Sequence, residues 1–99
     1  MAQDPVKVDS RHYKVDFENE HVRVLRIQYA PGEKSEMHGH PRGVAVFLTD
    51  CKGRFTYPDG KTEDLDVKAG QTMFTEATEH LPENLGNEPF EVLQIELKH

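Results

Sequence analysis

The sequence has one cysteine, no tryptophan and no hydrophobic run that approaches the length of a membrane span. Its single cysteine, Cys51, cannot form an internal disulfide, which fits a reducing compartment and leaves the fold without a covalent cross-link. A transmembrane helix needs about 20 consecutive apolar residues, so no membrane partner is expected. The opening Met-Ala-Gln-Asp-Pro also lacks the basic and apolar regions of a secretory signal. These absences together predict a cytoplasmic protein.

Basic side chains are scarce as well: 12 Lys and Arg stand against 18 Asp and Glu, for a net charge of −6. The basic residues are spread along the chain and form no stripe. Because phosphate neutralisation supplies most of the affinity for nucleic acids, we expect no nucleic-acid partner. A chain of 99 residues fits one domain, and a domain this small often gains stability from a bound metal or a partner subunit.

From Tyr13 onward, short runs typical of β-strands alternate with turn signals. The predicted strands are residues 13–17, 22–29, 35–40, 44–49, 54–57, 61–67, 72–75, 79–84 and 90–97. The predicted turns are a type II turn at 30–32, a turn at 50–53 and an Asp-Gly hairpin at 58–60. No window shows a convincing helical stripe, and strands at this spacing indicate an all-β sandwich or barrel. Residues 1–12 are expected to form an N-terminal extension or an edge strand.

The triplet His38-Gly39-His40 is the most informative motif. Residues two apart on a strand share a face, so the two imidazoles lie about 6.5–7 Å apart along the strand and can converge on one metal ion. His80 follows a later turn at Gly70. If the barrel brings it beside the pair, the three histidines form a facial set with open coordination positions, which is typical of a reactive metal site.

The chain resembles the cupin superfamily, in particular its single-domain bacterial members. Gly32, five further residues, His38 and His40 match the start of the first family motif, and His80 with Asn84 match the end of the second. The glutamate expected in the first motif falls at Val44 or Ala45, so this ligand is missing. The resemblance covers roughly residues 13–97. It implies a single small antiparallel barrel of the double-stranded β-helix (jelly-roll) type over residues 13–99.

The missing glutamate has a chemical consequence. Three neutral imidazoles leave a divalent metal at +2, which makes it a stronger Lewis acid than a site with a glutamate ligand. By resemblance, cupins with three histidines include iron-dependent dioxygenases, and others bind zinc, nickel or manganese, or no metal. Imidazole ligation does not choose among these metals.

Other side chains have less specific expectations. Glu36 precedes His38 by two residues, so it can be a fourth ligand, a partner of an imidazole N–H, a catalytic general base, or a solvated carboxylate. Cys51 is expected to be a free surface thiol within the 50–53 turn. His12, His21 and His99 lie outside the motifs and are expected to be solvated.

Three functions remain open at this point. The first is a small metalloenzyme of dioxygenase, isomerase or lyase type that acts on an oxygen-bearing small molecule in the barrel. The second is a ligand-binding or sensing module without turnover, and the third is a structural, metal-stabilised dimer. A homodimer is expected in any case, since pairing through an edge strand or a sheet face would bury apolar surface.

Overall fold

The computed structural model describes residues 3–99, and its regular secondary structure is nine β-strands and one short helix. The strands are β1 (Tyr13–Glu18), β2 (Val22–Tyr29), β3 (His38–His40), β4 (Gly43–Phe47), β5 (Cys51–Thr56), β6 (Thr62–Val67), β7 (Thr72–Thr75), β8 (Thr78–Asn84) and β9 (Phe90–Leu97). One sheet has the order β1-β2-β9-β4-β7 and the other has the order β3-β8-β5-β6. All strand pairs are antiparallel. The all-β barrel prediction is therefore confirmed.

The buried faces of the two sheets meet in one hydrophobic core, because inward and outward residues alternate along the strands. β9 shows the pattern most clearly, with every second residue buried from Phe90 to Glu96. The core contains Tyr13, Leu25, Ile27, Tyr29, Ala45, Phe47, Cys51, Val67, Phe90 and Val92.

Two predicted turns are present, and a third is wrong. Gly32 and Gly60 have φ values of +78° and +87°, which glycine adopts without a steric penalty. The predicted turn at 50–53 is wrong, because β5 begins at Cys51 and pairs with β6 from that residue onward. Cys51 is consequently buried rather than a surface thiol.

The N-terminal segment (residues 3–12) contains a short helix, α1 (Pro5–Val8), and no strand. Asp4 caps this helix by accepting a hydrogen bond from the Val6 amide at 3.0 Å. Residues 1–2, which belong to the expected extension, lie outside the described residues. Among residues 3–99, no helix has the length and apolar character needed to cross a membrane.

Candidate metal centre

The three histidines of the motifs lie together between the two sheets. His38 and His40 project to the same side of β3, and His80 on β8 is the cross-strand partner of His38. Their rings are 4.9–5.1 Å apart, centroid to centroid. One nitrogen from each ring lies within 4.8 Å of the other two. All three residues are buried, with exposed fractions of 0%, 9% and 8%.

Hydrogen bonds fix the tautomers of two of the rings. His38 donates its Nδ1–H to the carbonyl of Glu36 at 2.9 Å and lies 3.2 Å from Ser35 Oγ. His40 donates its Nδ1–H to Glu96 Oε2 at 2.7 Å. Because each neutral ring carries one proton, Nε2 of both histidines keeps a lone pair for a ligand.

Several ring nitrogens have nothing to bond. Nε2 of His38 and both nitrogens of His80 are buried without a hydrogen-bond partner in the described chain. Buried polar atoms are nearly always paired, and an unpaired one costs about 1–3 kcal/mol. Imidazole nitrogens are common ligands of transition metals. The three residues therefore fit a metal ion.

The electrostatics of the cluster keep two of these rings neutral. Burial, together with the charges of His40 and His38, lowers the pKa of His80 to about 2. Burial, together with the charge of His40, lowers the pKa of His38 to about 4. Metal binding requires unprotonated imidazole, so both rings are ready to bind at neutral pH.

A cavity of about 370 Å³ extends from the cluster into the barrel, with His40 and His80 in its wall. Its wall is largely apolar, from residues of both sheets such as Ile27, Phe47 and Phe55. Gln94 is a polar exception, and it donates to Thr75 Oγ1 at 2.9 Å. Among residues 3–99, no Lys or Arg lines the cavity, whereas Glu63 and Glu76 do. Glu83 also borders it, but strand alternation on β8 directs its side chain to the outer face, opposite Arg54.

Comparison with known proteins agrees with this architecture. A family model described as "Cupin domain" matches residues 25–96, which is most of the chain. The chain belongs to the cupin family. Among curated proteins, none is similar enough to this cupin to match it.

Solved structures of bacterial proteins share the fold. A cupin domain from Bordetella pertussis Tohama I is 26% identical with a TM-score of 0.80, over 88% of this chain and 92% of that one. A conserved protein with a double-stranded β-helix domain from Klebsiella pneumoniae is 22% identical with a TM-score of 0.66, over 84% and 72%. A cupin superfamily protein from Desulfitobacterium hafniense is 16% identical with a TM-score of 0.62, over 86% and 74%.

Glu96 is a residue of this cupin's site that the motifs do not reveal. It is 3% exposed, binds His40 and also accepts from Arg23 Nε at 2.9 Å. The expected glutamate position, at Val44 or Ala45, lies on β4, and β9 with Glu96 is the neighbouring strand. The available signal is the period-two pattern of β9, which puts Glu96 on the same face as Phe90 and Val92.

Two other polar residues differ in their placement from the sequence expectations. Glu36 lies before β3, so strand alternation does not govern it, and its side chain is exposed. Its role as a ligand or general base stays a prediction. His12 is buried rather than solvated: its ring stacks on Tyr29 at 4.1 Å, and its Nδ1 lies 2.7 Å from Asp9 Oδ2. The stacking on Tyr29 depends on the packing of β2, whereas Asp9, three residues before His12, is a local partner that the sequence offers.

Proposed function

We propose that this cupin is a small metal-dependent enzyme. His38, His40 and His80 bind a divalent transition metal (iron, zinc, nickel or manganese), and the adjoining cavity holds an oxygen-bearing substrate. The observation that carries the proposal is the set of buried, unpartnered imidazole nitrogens. A metal bound there supplies Lewis-acid chemistry toward a substrate oxygen.

The surroundings of the cluster favour a reactive site over a structural one. A structural metal site is closed by a fourth protein ligand, whereas a catalytic site keeps a position open. Within residues 3–99, the ligand group contains three histidines and no fourth residue. The cavity reaches two of them, so a substrate has access to the same place. This observation supports an enzyme rather than a metal-stabilised dimer.

The cavity also indicates a class of substrate. Within the described part of the chain, its wall offers apolar surface, Glu63 and Glu76 but no cationic side chain that would hold a carboxylate or phosphate group. A substrate with one metal-binding oxygen group and an otherwise neutral, mostly apolar body fits this wall. The space of about 370 Å³ is at the small end of ligand pockets.

Metal content is the first test. The untagged wild type, His80→Ala and the exposed control His21→Ala are purified in parallel and analysed for metals. We expect near-stoichiometric metal in the wild type and the control, and a sharp drop in His80→Ala. A wild type without metal, whose melting temperature does not rise with Fe²⁺, Zn²⁺, Ni²⁺ or Mn²⁺, would show that the proposal is wrong.

Glu36 is tested in the same series. If its carboxylate is a ligand, Glu36→Gln loses metal. If it is the general base, Glu36→Gln keeps its metal, and the effect is confined to turnover.

Ligand class is tested with two probes that share one metal-binding group. Catechol is neutral at pH 7, and protocatechuate is the same molecule with an added carboxylate. We expect zinc-loaded protein to bind catechol at least about tenfold more tightly than protocatechuate in calorimetry, because the added carboxylate meets a largely apolar wall without a cationic partner. Equal or tighter binding of protocatechuate would rule out the neutral substrate class and leave the metal site standing.

The expected homodimer belongs to the same proposal. Exposed apolar side chains on the edge strand β1, Val15 and Phe17, are consistent with pairing to a second copy. Sedimentation equilibrium at micromolar concentration checks this, with a mass of one chain as the contrary outcome.

A further inference from the structure

The N-terminal segment (residues 3–12) lies outside the part of the chain that matches the cupin family model. Its helix α1 nevertheless packs against β3, the strand that carries His38 and His40. β3 is an edge strand, so one side of it has no neighbouring strand. Gln3 covers this edge by accepting a hydrogen bond from the Gly39 amide, between the two histidines, at 2.8 Å. Pro5 of α1 is fully buried in the same region.

One hydrogen-bond chain joins this segment to His38. The Ser35 hydroxyl donates to Asp9 Oδ2 at 2.6 Å, and its oxygen lies 3.2 Å from His38 Nδ1. Asp9 Oδ2 also binds His12 Nδ1 at 2.7 Å. The side chains of Asp9 and His12 are 8% and 6% exposed, so these hydrogen bonds are shielded from water. Asp9 thus holds the hydroxyl that helps orient the His38 ring.

A second, independent chain joins the segment to His40. The carboxylate of Asp4 accepts two hydrogen bonds from the Arg23 guanidinium, at 3.0 and 3.1 Å. Arg23 Nε donates to Glu96 Oε1 at 2.9 Å, and Glu96 Oε2 binds His40 Nδ1 at 2.7 Å. Asp4 therefore anchors the guanidinium that positions the carboxylate beside His40.

We propose that the N-terminal segment helps to form the metal site. Asp4 is a positioning residue for His40, and Asp9 is a positioning residue for His38. The inference rests on the proposed metal site. Partners of metal-binding imidazoles typically change metal affinity 10–100-fold when removed. Because linkage is reciprocal, a metal that is bound more tightly when the segment is docked also stabilises the docked segment.

Metal affinity of variants tests the positioning role. Zn²⁺ affinity is measured by competition with a chelator for the wild type, Asp9→Ala and Asp9→Asn. We expect Asp9→Ala to bind Zn²⁺ at least about tenfold more weakly than the wild type does. Asp9→Asn recovers part of the affinity, because one amide oxygen can accept from both Ser35 and His12 Nδ1, as Oδ2 does. Recovery is partial because the amide N–H₂ then faces the His12 backbone N–H, from which Oδ1 accepts at 3.3 Å. The control is Asp16→Asn, which should keep the wild-type Zn²⁺ affinity. Asp16 is an exposed aspartate on β1 that pairs with Arg26 on β2.

Two further readouts separate positioning from general destabilisation. The absorption spectrum of the Co²⁺-loaded protein reports ligand geometry, and we expect it to shift in Asp9→Ala and in Asp4→Asn but not in Asp16→Asn. Hydrogen exchange is measured with and without Zn²⁺ in the wild type. We expect the metal to slow exchange at the amides of the N-terminal segment and at Gly39.

The outcomes separate this inference from the function proposed above. A wild type that binds no metal overturns both. If the wild type binds metal, two results together overturn this inference alone. In the first, Asp9→Ala and Asp4→Asn have Zn²⁺ affinities within twofold of the wild-type affinity. In the second, the metal leaves hydrogen exchange in residues 3–12 unchanged. Weaker binding in Asp9→Ala, recovery in Asp9→Asn and metal-dependent protection of the segment support it.

Discussion

The sharpest structural prediction concerns Glu96, whose carboxylate joins His40 to Arg23 inside the barrel. The residue is 3% exposed, and each of its oxygens accepts one hydrogen bond, at 2.7 and 2.9 Å. Burial alone would lower the pKa of Arg23, but its hydrogen bonds to Asp4 and Glu96 outweigh burial and raise it. Arg23 therefore stays positively charged beside Glu96.

Glu96→Gln keeps the shape of the side chain and removes its charge. The amide oxygen can accept from Arg23 Nε, but the amide N–H₂ then faces His40 Nδ1, which can accept from it only in the other tautomer. The change replaces two hydrogen bonds to a buried charge, worth about 1.5–3 kcal/mol each, with weaker neutral ones and forces His40 out of its observed tautomer. Arg23 retains Asp4 as a partner, which limits the loss. We expect the free energy of unfolding to fall by about 3 kcal/mol.

Urea denaturation of the metal-free protein measures this loss. A domain of this size has about 5–15 kcal/mol of stability, so the variant still folds and the wild-type m-value should be retained. Glu91→Gln, on the same strand and in contact with the half-buried Arg26, is the matched control and should lose much less. A Glu96→Gln loss under 1 kcal/mol, or an equal loss in the control, would refute this description of the buried pair.

Two further predictions concern buried polar groups away from the metal site. Burial raises the pKa of the Cys51 thiol from 9.0 to about 11, so at pH 8 the native protein has about 100-fold less thiolate than the unfolded chain. Iodoacetamide should modify the native protein at least ~100-fold more slowly, and similar rates would contradict the burial of Cys51. Asn84 is 1% exposed and bonds to Tyr29, Glu88 and Gly86. Asn84→Ala should lower the free energy of unfolding by about 2–4 kcal/mol in urea denaturation. Asn87→Ala, in the exposed loop that follows β8, should leave it almost unchanged.

The strands could be predicted because alternation is a local property. Val22–Tyr29 and Phe90–Leu97 have the predicted bounds, since each side chain of these strands meets either the core or the opposite surface. The error at 50–53 has a local cause as well. The local sequence pattern predicts a turn at Gly53, but this residue lies inside β5. A Cβ at this position would come within 3.2 Å of the Glu83 carbonyl oxygen. Glycine there serves the close approach of a neighbouring strand.

The site could be predicted only as far as its motifs reach. His38, His40 and His80 were found because their spacing is characteristic, and the structure brings them together. Ser35 and the Glu36 carbonyl are local partners of His38. The other residues of the hydrogen-bond networks come from distant parts of the chain: Asp9 and Asp4 from before the barrel, and Glu96 from its last strand. Such contacts depend on how the sheets and the N-terminal segment pack, so no short motif contains them. Strand parity would have identified Glu96 as inward-facing, but not its partner.

Glu96 also changes the charge argument that the missing motif glutamate suggested. Three neutral imidazoles would leave a divalent metal at its full +2 charge. The carboxylate hydrogen-bonded to His40 places a negative charge one ring away, where it makes the imidazole a more basic ligand. Arg23 offsets part of that charge, and Asp4 in turn neutralises Arg23. The charge at the proposed site therefore lies between the two extremes, because the Glu96 carboxylate is hydrogen-bonded to His40, one of the proposed ligands. The proposed metal should thus be a weaker Lewis acid than the histidines alone imply.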